Sequence, residues 1–106
     1  MGARSRRTNE FLLVYQKYPK TTKNWLDKGI KDTFLEKIPE PRNKTAHAHR
    51  KPLGLTARLI TATVPVDGIV LDPCAGSFST LVACRMTGRN FIGCDLTLEF
   101  LDERLK

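Results

Sequence analysis

Apolar residues fall along this chain in short blocks, and the spacing within each block predicts a different element. The run Phe11-Leu12-Leu13-Val14-Tyr15 is continuous, partly β-branched and aromatic, and bounded by Glu10 and by Tyr18-Pro19. That is the pattern of a strand covered on both faces, so residues 10–17 are expected to join a sheet made mostly elsewhere. Residues 18–48 sustain no period. Three prolines, Pro19, Pro39 and Pro41, interrupt them, with Pro52 just beyond, and Trp25, Phe34, Leu35 and Ile38 are their apolar anchors. A connection this long inside a compact domain marks a binding segment or lid.

From residue 49 onward the pattern is regular. Pro52 suits the first position of a helix, and Leu55, Leu59, Ile60 and Ala62 form its stripe as far as Thr63. Val64-Pro65-Val66-Asp67-Gly68 is a stop and a turn. Ile69-Val70-Leu71 then forms a continuous apolar strand ending at Asp72, as parallel strands covered on both faces do. A tight turn at Gly76 leads to a helix from about Phe78 to Thr87, with Ser77 as its cap and Gly88 as its terminator. A second strand, Asn90 to Asp95, precedes a last helix from Thr97 with Leu98, Leu101 and Leu105 on its apolar face. Helices alternating with strands predict an α/β fold with a parallel pair. The expected organisation is a basic arm at 1–9, which has too few apolar residues to bury anything, and an α/β unit at 10–106 whose ordered part is 49–106.

At 106 residues the chain has room for one small domain with little stability to spare. No apolar run approaches a membrane span, and no secretory signal is present, so a cytoplasmic location is expected. The three cysteines, Cys74, Cys84 and Cys94, are odd in number and lie ten residues apart. That argues against a disulfide framework and against a zinc spacing, and favours buried free thiols. His47 and His49 lack a Cys or carboxylate partner in sequence, so no metal is expected. The net charge of +7 is uneven: residues 1–58 hold 14 Lys and Arg against 5 acids, a balance of +9, and the remainder is −2. The basic half is the candidate for facing phosphate, with Arg4, Arg6, Arg7, Lys44 and Arg50 as the residues that would contact nucleic acid; a solvated surface with excess lysine is the alternative.

The chemistry is concentrated where the strand Ile69-Val70-Leu71 meets its helix. In Asp72-Pro73-Cys74-Ala75-Gly76-Ser77-Phe78, small side chains let a ligand approach the backbone at the carboxyl end of a parallel strand. Unused amides and the helix dipole there would favour an anionic group. Asp95 closes the second strand, 19 residues beyond Gly76, at the place where nucleotide-binding α/β proteins hold an acid for ribose hydroxyls. Gly-x-Gly-x-x-Gly is absent, so a pyrophosphate has no obvious seat.

These residues, together with His49-Arg50-Lys51-Pro52, Leu59-Ile60 and Gly88-Arg89-Asn90-Phe91-Ile92-Gly93-Cys94-Asp95, resemble the carboxy-terminal part of the DNA amino-methyltransferases that modify adenine or cytosine. The order is similar to that of permuted, phage-type adenine enzymes, and the resemblance spans about residues 8–106. It implies a partial Rossmann-like methyltransferase fold, with parallel strands flanked by helices. It also implies S-adenosylmethionine held by Asp72, Pro73, Cys74, Ala75, Gly76, Ser77 and Phe78, with Asp95 at the ribose and His49, Lys51 and Pro52 at the methionine end. A methyl group would pass from the sulfonium to an exocyclic amino nitrogen of a flipped base.

Two departures qualify the resemblance. The commoner family turn is Asp-Pro-Phe-x-Gly-Ser-Gly, whereas Cys74 here replaces the aromatic residue and Phe78 the second glycine. A ring supplied from 78 in place of one at 74 would conserve pocket volume. The family's catalytic tetrapeptide, Asp, Asn or Ser followed by Pro-Pro and an aromatic residue, does not occur, and Ile38-Pro39-Glu40-Pro41 is not it. No catalytic residue is therefore assigned. The expectation is a cofactor-binding part that turns over only with a second chain; a non-catalytic DNA- or cofactor-binding remnant is the alternative.

Overall fold

A computed structural model describes residues 10–18, 21, 23, 25–36 and 51–106. From residue 52 to residue 93 the elements follow the predicted order. Helix α1 is Leu53–Thr63, strand β1 is Ile69–Asp72, helix α2 is Ser79–Thr87, strand β2 is Asn90–Gly93, and a single 3-10 turn covers Glu103–Leu105. Pro52 precedes α1 as its cap residue, in extended conformation, and so falls one position earlier than expected. Its fixed φ and missing N–H make it a natural boundary. Gly88 ends α2 in the left-handed conformation, as predicted, and the Gly88 amide donates to the Cys84 carbonyl.

The two strands are parallel neighbours, with Ile69 opposite Asn90, Val70 opposite Phe91, Leu71 opposite Ile92 and Asp72 opposite Gly93. The crossover between them is α2, the unit that parallel pairing requires. Side chains alternate across the sheet. Val70 and Phe91 point toward the helices, where they pack on a core of Ile60, Ala83 and Cys84, together with Leu53, Ala57 and Val64. Arg89 fastens the two helix ends together: its guanidinium donates twice to the Val64 carbonyl, at 2.8 and 3.1 Å, and also to that of Thr87. Asn90 Nδ2 donates to the Asp67 carbonyl at 2.8 Å and closes the turn before β1.

Four expectations are corrected. Residues 10–17 form no strand: Phe11 to Tyr15 are exposed and unladdered, because a strand covered on both faces needs sheet neighbours and the sheet formed by the described residues has only β1 and β2. The sheet itself is covered on one face only, leaving Ile69, Leu71 and Ile92 exposed on the other. No helix starts at Thr97; Leu98 is exposed, and only the 3-10 turn forms. A leucine stripe becomes a helix when it has a surface to bury it, and Leu98 finds none. Finally, only Cys84 is buried, whereas Cys74 and Cys94 are exposed. Continuing the alternation of β2, Cys94 falls on the parity of the uncovered face.

The long segment touches the body where it is described. Leu26 N–H donates to the Ala62 carbonyl at 2.7 Å, and Arg58 pairs with Asp27 at 2.7 Å. Trp25 is half-buried in this stretch. Among the described residues no helix is long and apolar enough to cross a membrane.

Candidate functional site

The turn from Asp72 to Phe78 is built as a closed set of hydrogen bonds. The Asp72 carboxylate accepts from Cys74 N–H at 3.2 Å through Oδ1 and from the Thr80 hydroxyl at 2.8 Å through Oδ2. It therefore folds the chain back and ties the end of β1 to the first turn of α2. Two backbone bonds lash the turn to the end of β2: Cys94 N–H to the Asp72 carbonyl at 3.2 Å, and Ala75 N–H to the Cys94 carbonyl at 3.0 Å. Cys94 Sγ also lies 3.3 Å from the Pro73 carbonyl, to which its thiol donates.

Asp95 reaches across from β2. Its Oδ2 accepts from Gly76 N–H at 2.8 Å, and its Oδ1 accepts from Leu96 N–H at 2.8 Å. The two carboxylates singled out by spacing thus meet on one turn, at the carboxyl ends of neighbouring parallel strands. Gly76 adopts φ +57°, the left-handed conformation that glycine tolerates without penalty. The residue is half-buried, while Pro73, Cys74 and Asp95 form an exposed rim.

Two expectations about the turn change. Four of its amides, those of Cys74, Ala75, Gly76 and Phe78, donate within the protein and are not the unused amides that were expected. Ser77 is not a side-chain cap either. The residue preceding α2 is Phe78, at φ +62° and with no side-chain cap bond, in the conformation that the family's glycine would adopt freely. A left-handed non-glycine residue costs about 1–2 kcal/mol. Burial of the Phe78 ring offsets that cost: it meets Phe91 edge to face, with centroids 6.0 Å apart. Since Phe78 is buried against β2 and Cys74 is exposed, the ring does not take the place of a side chain at 74.

A residue not anticipated from sequence completes the floor. Asp102 N–H donates to the buried Ser77 carbonyl at 2.8 Å, which brings the chain's last segment under the turn. The Asp102 carboxylate is buried and accepts from the Arg104 guanidinium at 2.8 and 2.6 Å, the fork geometry of a strong ion pair. That hydrogen bond holds Arg104 protonated above its ordinary range. The available signal was an acid inside a leucine-spaced stripe, where a charge persists only with a partner.

Of the expected methionine-end residues, Pro52 caps α1, and exposed Lys51 pairs with Glu10 at 3.3 Å. His49, like Arg4, Arg6, Arg7, Lys44 and Arg50, lies outside the described residues. No cluster of three potential metal ligands occurs among the described residues.

Comparison with known proteins fits this architecture. A family described as DNA methylase matches residues 2–106. The type II methyltransferase M.HhaII of Haemophilus parahaemolyticus is 42% identical over 97 residues, covering 91% of this chain and 41% of that protein. M2.MboI of Moraxella bovis is 43% identical over 78 residues, 72% of this chain and 29% of that protein. The DNA adenine methyltransferase YhdJ of Escherichia coli K12 is 40% identical over 60 residues, 57% of this chain and 20% of that protein. Among solved structures, an M1.HpyAVI–SAM complex superimposes with a TM-score of 0.56 at 33% identity, over 72% of this chain and 39% of that one. The chain belongs to the DNA amino-methyltransferase family, and its parallel strands with flanking helices are the α/β fold of that family. It spans 41% or less of the length of these relatives.

Proposed function

We propose that this chain is the S-adenosylmethionine-binding part of a DNA methyltransferase acting on the exocyclic amino group of adenine, with cytosine the less favoured target. The observation that carries the reading is the bond from Gly76 N–H to Asp95 at 2.8 Å, which sets an exposed carboxylate beside a small-residue turn at the tips of β1 and β2. The donor set suits the cofactor: Asp95 can accept from ribose hydroxyls, and Ala75 and Gly76 leave room for close approach. When bound, the cofactor supplies an electrophilic methyl group. The chain's own residues hold and orient it: Asp72 fixes the turn through Thr80, and Asp95 fixes Gly76. The relatives named as methyltransferases, and YhdJ as an adenine enzyme, support the substrate class. The basic balance of residues 1–58 supports DNA as the partner.

Because the Asp-Pro-Pro-aromatic tetrapeptide is missing from the sequence, the chain alone is expected to bind cofactor without turning over. Titration calorimetry with S-adenosylmethionine tests the first part. Asp95→Asn should weaken binding by about tenfold or more, as loss of a charged hydrogen-bond acceptor does; equal affinity would remove Asp95 from the site. The alternative, a non-catalytic DNA- or cofactor-binding remnant, rests on the same missing tetrapeptide. Methyl transfer to DNA after mixing with a chain that carries the tetrapeptide excludes it.

A further inference from the structure

Two of the chain's three thiols stand at the tip of the sheet. The ladder of β1 and β2 runs in register as far as Asp72 opposite Gly93, and Cys94 N–H continues it by donating to the Asp72 carbonyl at 3.2 Å. Regular parallel pairing would next bring the Cys74 amide to the Cys94 carbonyl. Instead the Asp72 carboxylate accepts from the Cys74 amide at 3.2 Å, and Ala75 N–H reaches the Cys94 carbonyl at 3.0 Å. The β1 side therefore carries one residue too many, and Pro73 and Cys74 together stand opposite Cys94, the arrangement of a bulge. Cys94 Sγ leans across the same gap, 3.3 Å from the oxygen of the peptide that joins Pro73 to Cys74. Neighbouring strands lie about 4.8 Å apart, inside the Cα separation of about 4.4–6.8 Å that a disulfide spans. Both of these thiols are exposed, whereas Cys84 is buried.

We propose that Cys74 and Cys94 are an oxidant-sensitive dithiol, which a peroxide closes to a disulfide that takes the cofactor turn out of use. The proposal rests on the functional reading above for what the turn holds. One thiol attacks the peroxide, the O–O bond breaks, and a sulfenic acid and a water form. The other sulfur then attacks the sulfenic sulfur, the S–O bond breaks, and the hydroxyl leaves as a second water with the proton of the attacking thiol. The peroxide gains the electrons that the two sulfurs lose. Rotation of the exposed Cys94 side chain away from the Pro73 carbonyl is the first movement required. Cys74 belongs to the exposed rim with Asp95, and Asp95 directly follows Cys94. A bond between the two sulfurs therefore lies across that rim, where a ligand would approach, and it locks the bulge from which the Asp72 and Gly76 contacts are hung.

The test treats the full chain with hydrogen peroxide, digests it with trypsin and weighs the peptides. Cleavage after Arg85 and Arg89 separates residues 74 and 94, so the disulfide joins two peptides that reduction releases. The joined pair should form in the native chain and with Cys84→Ala, and should be lost with Cys74→Ser and with Cys94→Ser; hydrogen-exchange protection of β1 and β2 reports that each variant is folded. Calorimetry should show S-adenosylmethionine binding at least about tenfold weaker after oxidation and restored by dithiothreitol. The same peroxide treatment should leave the affinity of the Cys94→Ser chain where it stood before treatment. Thiols that stay free under peroxide, a join that needs Cys84, a disulfide between two copies seen by sedimentation, or full affinity in the crosslinked chain overturns the proposal. Weakening that persists in Cys94→Ser does so too, since it assigns the effect to one sulfur. If the reduced chain binds no cofactor while the crosslink forms, the functional reading falls and takes the effect on binding with it; if binding is normal and no crosslink forms, the dithiol alone falls.

Discussion

Replacing Phe78 separates two energies that oppose each other in the native chain. The residue holds φ +62° and buries its ring against Phe91. Phe78→Ala removes the ring but keeps a Cβ in the left-handed region; truncation of a buried Phe costs about 3–5 kcal/mol, and the backbone strain of about 1 kcal/mol remains. Phe78→Gly removes the same ring and also the strain, which lowers the net loss to about 2–4 kcal/mol. In an ordinary helix glycine is about 0.5–1 kcal/mol worse than alanine. Here the order should invert, with the glycine variant more stable by about 1 kcal/mol, or roughly 4–8 °C in melting temperature for a domain near this size. Thermal and urea unfolding of both variants, followed by circular dichroism, measure the difference. An alanine variant as stable as the glycine one would mean that residue 78 is not left-handed in solution, and the account of the turn would fail with it.

The remaining predictions concern the supports of the same turn. Gly93→Ala would place a Cβ 2.7 Å from the Asp72 carbonyl. The end of β2 must then shift, so both the melting temperature and cofactor affinity should fall, and retention of affinity would show that the spacing of the two strand tips is not critical. Arg89→Lys cannot reproduce the fork onto the Val64 and Thr87 carbonyls and should cost about 1–2 kcal/mol in urea unfolding; no loss would mean that the helix ends are held by packing alone. Alkylation of the native chain should modify Cys74 and Cys94 quickly and Cys84 only on unfolding, as mass spectrometry would count. Burial raises the Cys84 thiol above its ordinary range, against a smaller opposing effect of Arg89. Its contribution to stability is therefore complete below about pH 8.5, where the unfolded thiol begins to ionise, and is lost as pH rises through the higher folded value. Cys84→Ala should flatten stability over that range, and an unchanged alkaline slope would assign it to other groups.

The elements legible in the sequence were those whose pattern is satisfied locally. The stripe of α1, the apolar run of β1 and Gly88 at the end of α2 each specify their own conformation from neighbours a few residues away. The pairing of Asp72 and Asp95 across the turn was also legible, because a strand–helix–strand unit of fixed length brings its strand ends together. Phe11 to Tyr15 and the stripe from Thr97 depend on surfaces elsewhere, and sequence pattern carries no information on whether those surfaces are present. Apolar neighbours in sequence likewise misplaced Cys94, whose exposure follows from strand parity rather than from composition. The inward use of the turn's amides was invisible for another reason: it depends on where the Cys94 carbonyl and the Asp95 carboxylate arrive in space.

The carboxylate oxygen on Gly76 gives the site a built-in indicator. A hydroxyl that donates to Asp95 would draw electron density from the carboxylate that accepts the Gly76 N–H, so occupancy should register as a movement of one backbone amide resonance. Titrating the isotopically labelled chain would then report local engagement at that turn, separately from heat released anywhere else in the molecule.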